Sequence, residues 1–115
     1  MDDSVQLGPP LVTCQPFASL EGGRFKVATF SPIWFELDQR DTRKLYDALS
    51  RLYDGHGGVT FPVTNRLAPS TVPRNLLVDV ESRTVAFFAD HTEVISFDAR
   101  DTRKIFDLLD RNLRP

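Results

Sequence analysis

Apolar and polar residues alternate over Phe17–Glu21 and again over Arg24–Phe30, on either side of Gly22-Gly23. Alternation at period two marks a half-buried strand, and two glycines suit the positive φ of a two-residue hairpin turn. Ser31-Pro32 breaks the run, and Ile33–Leu37 reads as a third strand. At Asp38 the period changes: Leu45, Leu49, Leu52 and Tyr53 recur at helical spacing, which predicts a helix over about Gln39–Tyr53. Asp38 is its N-cap, Asp41 favours the positive end of the helix dipole, and Gly55 stops it. Val59–Val63 is a strand whose Pro62 consigns it to an edge. A second hairpin is expected over Leu76–Glu81 and Thr84–Ala89 around Ser82-Arg83, then a strand over Glu93–Phe97. Asp98 caps a second helix over about Ala99–Asn112, with Ile105, Phe106, Leu109 and Leu113 inward. Residues 1–10, ending in Gly8-Pro9-Pro10, read as a loose tail, and Leu11–Cys14 as a short edge strand.

The second half of this pattern restates the first. Asp38-Gln39-Arg40-Asp41-Thr42-Arg43-Lys44 recurs 60 residues on as Asp98-Ala99-Arg100-Asp101-Thr102-Arg103-Lys104, with Gln39 against Ala99 the one difference. At the same offset Asp47, Leu49 and Arg51 match Asp107, Leu109 and Arg111, Glu21 matches Glu81, and Pro9 and Val12 match Pro69 and Val72. Two units are too few for a solenoid. Each half is too small to bury a sufficient core alone, so the halves share one. The expected fold is α+β: one domain over 1–115 with a tandem duplicated βββα unit and pseudo-twofold symmetry. The unit becomes ββββα if Leu11–Cys14 and Val59–Val63 count. The repeat spans 9–54 and 69–114, joined by a linker over 55–68.

The hairpins place side chains. Leu20 faces Phe25, Ala18 faces Val27, Val80 faces Val85 and Val78 faces Phe87, and with Ile33, Phe35, Leu37, Ile95 and Phe97 these form the side under the helices. On the other side the turn end is polar, but Phe17, Ala28, Phe30, Trp34, Leu77, Phe88 and Val94 make the far end apolar. Monomers rarely expose large contiguous apolar patches. The two halves pack these faces together, a homodimer covers them, or they form a platform for a partner. Phe17, Phe30, Trp34, Leu77 and Phe88 are the candidate binding residues there; aromatics on a sheet stack single-stranded bases or anchor a protein.

The repeated helix starts offer a second candidate surface. Arg40, Arg43 and Lys44, and again Arg100, Arg103 and Lys104, lie opposite the inward residues. Cations in a first turn oppose the helix dipole, so helix stability does not require them. They form either a solvated face, with Asp47 and Asp107 pairing to Arg43 and Arg103, or a pair of sites for phosphate or an acidic partner.

Composition narrows the function classes. A net charge of −2 argues against a protein that coats duplex DNA through bulk electrostatics. No apolar run approaches the length of a membrane span, and Met1-Asp2-Asp3-Ser4 does not resemble a signal peptide, so a cytoplasmic, membrane-free protein is expected. The single cysteine, Cys14, has no internal disulfide partner. His56 and His91 stand in separate turns without metal-ligand spacing, and no glycine-rich phosphate loop opens a helix. No catalytic constellation, metal site or cofactor motif is expected.

The tandem strand–helix plan, with Arg24-Phe25-Lys26-Val27-Ala28 on a strand after a glycine turn, is similar in outline to PUR and whirly-type proteins. That resemblance covers topology and no specific motif. It implies curved sheets that bind single-stranded nucleic acid. The residues themselves favour a small non-enzymatic protein-binding module, an adaptor or inhibitor of the kind found among phage and accessory proteins. Single-stranded nucleic-acid binding is the first alternative and a small anionic ligand at the helix starts the second.

Overall fold

A computed structural model describes residues 3–8, 17–28, 33–64, 75–89 and 91–114, and within them every side chain except those of residues 28, 33–35, 75 and 94. Two four-stranded antiparallel sheets and two helices make an α+β fold. The first sheet runs β1 (Asp3–Gln6), β2 (Phe17–Glu21), β3 (Arg24–Ala28) and β4 (Ile33–Glu36), and α1 (Gln39–Tyr53) follows it. The second runs β5 (Val59–Thr64), β6 (Asn75–Glu81), β7 (Thr84–Ala89) and β8 (Thr92–Phe97), and α2 (Ala99–Leu113) follows. No helix among the described residues is long and apolar enough to cross a membrane.

The hairpin registers follow from the turns. Leu20 lies opposite Phe25 and Ala18 opposite Val27; Val80 lies opposite Val85 and Val78 opposite Phe87. All eight are buried. Gly22 and Gly23 both have positive φ, as the two-residue turn demands. Ser82 and Arg83 adopt the same left-handed backbone at φ 51° and 67°, a conformation that L side chains resist.

Each helix packs on both sheets. The first, α1, packs on β3 of its own sheet and on β5 and β6 of the other; α2 packs on β7 and β8 and on β1 and β2. The two helices also pack on each other. One core results, with Phe25, Leu45 and Leu49 from the first half and Phe87, Ile105, Leu108 and Leu109 from the second, all fully buried. Neither half encloses this cluster alone, because each helix finds much of its apolar counterpart on the other half's strands.

Three sequence expectations change. Residues 3–8 are not a loose tail. Asp3–Gln6 pairs with β2, and Leu7 is fully buried. Only Val5 and Leu7 carry the alternation, too short a run to declare a strand beside Gly8-Pro9-Pro10. The edge strand expected over Val59–Val63 is present as Val59–Thr64, the first strand of the second sheet, within the stretch 55–68 read as linker. The first strands also do not obey the offset of 60: Asp3 opposes Leu20 and Val59 opposes Val80, so they correspond 56 residues apart. Finally, each sheet has a bulge, between Val27 and Ala28 and between Phe87 and Phe88, so that Ala28 pairs with Ile33 and Phe88 with Glu93. Strict alternation through Ile33, Phe35 and Leu37 therefore fails. The expected strand Leu11–Cys14, and the matches Pro9, Val12, Pro69 and Val72, lie outside the described residues.

Candidate functional site

The repeated helix start is first a joint. Asp38 and Asp98 cap their helices, each Oδ1 accepting the N–H three residues on, from Asp41 at 2.7 Å and from Asp101 at 2.9 Å. The next carboxylate reaches across to the other half. Asp41 accepts the Thr64 N–H at 3.0 Å, and Asp101 accepts the Gly8 N–H at 3.0 Å and 3.1 Å through its two oxygens. Gly8 and Thr64 stand at the same register position, two residues past the pairs Gln6–Phe17 and Pro62–Leu77. Each helix thus holds the end of the other sheet's first strand. Both carboxylates are buried, where a hydrogen bond to an ionised group is worth more than a neutral one.

The threonines complete the joint. Thr42 is fully buried, and its Oγ1 accepts the Phe25 N–H at 2.9 Å just beyond the last rung of the β3–β4 ladder, where the Leu37 N–H meets the Phe25 carbonyl at 2.8 Å. Thr102, equally buried, donates its hydroxyl to the Phe97 carbonyl at 3.2 Å. The one unmatched position also has a role: Gln39 donates its side-chain amide to the Gly22 carbonyl at 2.8 Å, a bond Ala99 cannot make to the Ser82-Arg83 turn. Sequence reasoning missed Asp41, Asp101, Thr42 and Thr102 as joint residues. Their signal was present, since they repeat as faithfully as the cations.

Most of the cations serve the same frame. Arg43 donates to the Leu113 carbonyl at 3.0 Å, with its guanidinium 5.8 Å from the Tyr46 ring centroid. Its expected pairing with Asp47 is not among the described contacts. Arg103 does pair with Asp107, at 3.2 Å, and lies 4.9 Å from the Tyr53 ring and 5.3 Å from the Phe106 ring. Lys104 donates to the Gln6 carbonyl at 3.1 Å, and Lys44 stands 3.8 Å from Asp41. Arg40 and Arg100 are exposed and make no described side-chain contact. Arg40, Lys44 and His91 border an open cleft of about 520 Å³ between the α1 start and the ends of β5 and β6.

Between the helices, Tyr46 donates to Asp110 at 2.7 Å, and Arg114 pairs with the same carboxylate. These partners, Arg114 foremost, hold the Asp110 carboxyl below the usual carboxylate range, and Asp110 in turn raises the Tyr46 phenol. Burial raises the Tyr53 phenol.

The aromatic candidates fall on the sheet sides turned away from the helices, as far as they are described. In the first sheet Phe17 is half-buried beside Ser4, Ser19, Glu21 and Lys26. The cations there are matched: Lys26 pairs with Glu21, and Arg24 stands 3.8 Å from Glu36. Lys26 in particular holds the Glu21 carboxyl low. In the second sheet Leu77 is 37% exposed, Phe88 is half-buried and Pro62 is exposed. Asp79, Glu81 and Glu93 share that side by register, and Thr60 and His91 border it. Phe30 and the Trp34 side chain lie outside the described residues. Among the described residues no group of three or more His, Cys, Asp or Glu is placed to hold a metal ion.

Comparison of the chain with protein-family models, with curated proteins and with solved structures found no match.

Proposed function

We propose that the chain is a small non-enzymatic protein-binding module, built from two copies of one ββββα unit about a pseudo-twofold axis, each helix packing on both sheets. The shared joint, Asp41 on Thr64 and Asp101 on Gly8, supports the duplication. The observation that carries the binding reading is the outward side of the second sheet. Pro62, Leu77 and Phe88 form an apolar strip there, next to Asp79, Glu81 and Glu93. A nucleic acid approaching this strip would meet three carboxylates, and phosphate binding requires the opposite sign. A protein segment with apolar anchors and flanking lysine or arginine has both complementary properties.

The test is a pair of titrations followed by amide NMR shifts. One uses a short peptide alternating leucine and lysine, the other an oligothymidylate at low salt. Saturable shifts at Leu77, Asp79 and Phe88 with the peptide, abolished by Leu77→Asp, are expected. Shifts on this side with the oligothymidylate, and none with the peptide, would sink the protein-binding reading in favour of single-stranded nucleic acid.

A further inference from the structure

On the helix side, each first strand borders a groove against the helix contributed by the other half, and the two grooves are filled differently. Between β1 and α2, Asp3 reaches across to Arg111, with Nε–Oδ2 at 2.5 Å, and accepts from Asn112 at 2.9 Å. Lys104 closes the same groove on the Gln6 carbonyl. Between α1 and β5 the corresponding residues are Arg51 for Arg111, Lys44 for Lys104, and Val59 for Asp3 by register. The carboxylate is therefore missing. Arg51 is exposed and has no described side-chain partner, Lys44 turns to Asp41, and Val59 is left 44% exposed. Ala48 stands where α2 has Leu108, which widens the floor. The result is an open groove of about 440 Å³ lined by Lys44, Asp47, Ala48, Arg51, Val59 and Phe61.

We propose that this groove binds an acidic, apolar segment of a protein partner. The partner's carboxylate takes on Arg51 the place that Asp3 takes on Arg111, and its neighbouring apolar side chain covers Val59, Phe61 and Ala48. Charge selects the occupant: Arg51 lacks the carboxylate that Asp3 supplies to Arg111 in the filled groove, while the apolar floor excludes a bare phosphate as a full match. The filled groove shows the pairing in this same chain. The site is separate from the Leu77–Phe88 strip, being on the opposite side of the second sheet, so either can fail without the other.

The probe is the peptide acetyl-Asp-Leu-Glu-Phe-amide, with its Asn/Gln counterpart as control, titrated into the full chain and followed by NMR. Saturable shifts are expected at Ala48, Arg51, Gly58, Val59 and Phe61. The uncharged peptide should bind about two- to fivefold more weakly, the range of an exposed ion pair. Arg51→Glu should abolish the shifts. Val59→Asp should also block the peptide, by restoring an internal ion pair to Arg51, and should move the Arg51 Nε–H resonance without added ligand. The proposal is overturned if no saturable shift occurs, if the β1–α2 groove responds equally, or if Val59→Asp leaves peptide affinity unchanged.

Discussion

Replacing Asp41 by alanine tests whether the repeated helix start is a joint between halves. Asp41 is 6% exposed, accepts the Thr64 N–H at 3.0 Å and is the acidic residue of the first turn of α1. Loss of a hydrogen bond to a charged group costs about 1.5–3 kcal/mol, and loss of a first-turn carboxylate about 0.3–1 kcal/mol. Lys44, 3.8 Å away and partly exposed, adds little. The expected cost of Asp41→Ala is therefore about 2–4 kcal/mol. Asp41→Asn keeps an acceptor and loses only charge, so it should cost about 1 kcal/mol. Urea unfolding followed by far-UV circular dichroism measures both, and at the entropy typical of this chain length the alanine variant should melt about 10 °C lower. Hydrogen exchange locates the effect: the Thr64 amide should lose protection before the β6–β7 amides do. A change below about 0.5 kcal/mol, typical of plain surface substitutions, or unaltered Thr64 exchange, would refute the joint.

Other substitutions have defined outcomes. A Cβ on Gly58 would stand 2.3 Å from the Val80 carbonyl oxygen, so Gly58→Ala should cost about 1–3 kcal/mol, read from the urea midpoint. Ser82→Asn with Arg83→Gly relieves two left-handed L residues and should stabilise by about 1 kcal/mol, read as a rise in Tm. Hydrogen bonding by Arg111 holds Asp3 far below the usual carboxylate range, and hydrogen bonding by Arg114 and then Tyr46 holds Asp110 below it. Their folded pKa values are depressed, so their stabilisation is complete above that range and is lost as the pH falls through it. Asp3→Asn with Asp110→Asn should accordingly flatten the acid limb of stability against pH below about pH 5; an unchanged slope would contradict it.

The chain's own sequence determined the local elements. Period-two alternation on either side of a two-residue turn leaves one register, so Leu20–Phe25 and Val80–Val85 were legible without coordinates. Helical spacing after Asp38 and Asp98 set both helices for the same reason. Leu77 and Phe88 could be assigned to the side away from the helices, since alternation alone decides it over a short strand. What the pattern lacks is any statement about which surfaces meet. The packing of each helix on both sheets, the strand at Asp3–Gln6 and the cross-half carboxylates depend on contacts between residues about 20 to more than 100 positions apart. Periodicity carries no information at that range. The cations of Arg-Asp-Thr-Arg-Lys therefore read as a free basic surface. Tertiary structure commits Arg43, Arg103 and Lys104 to rings, a carboxylate and carbonyl groups inside the fold. It leaves Arg51 exposed beside Val59, the residue that stands in the second sheet at the register position of Asp3 in the first.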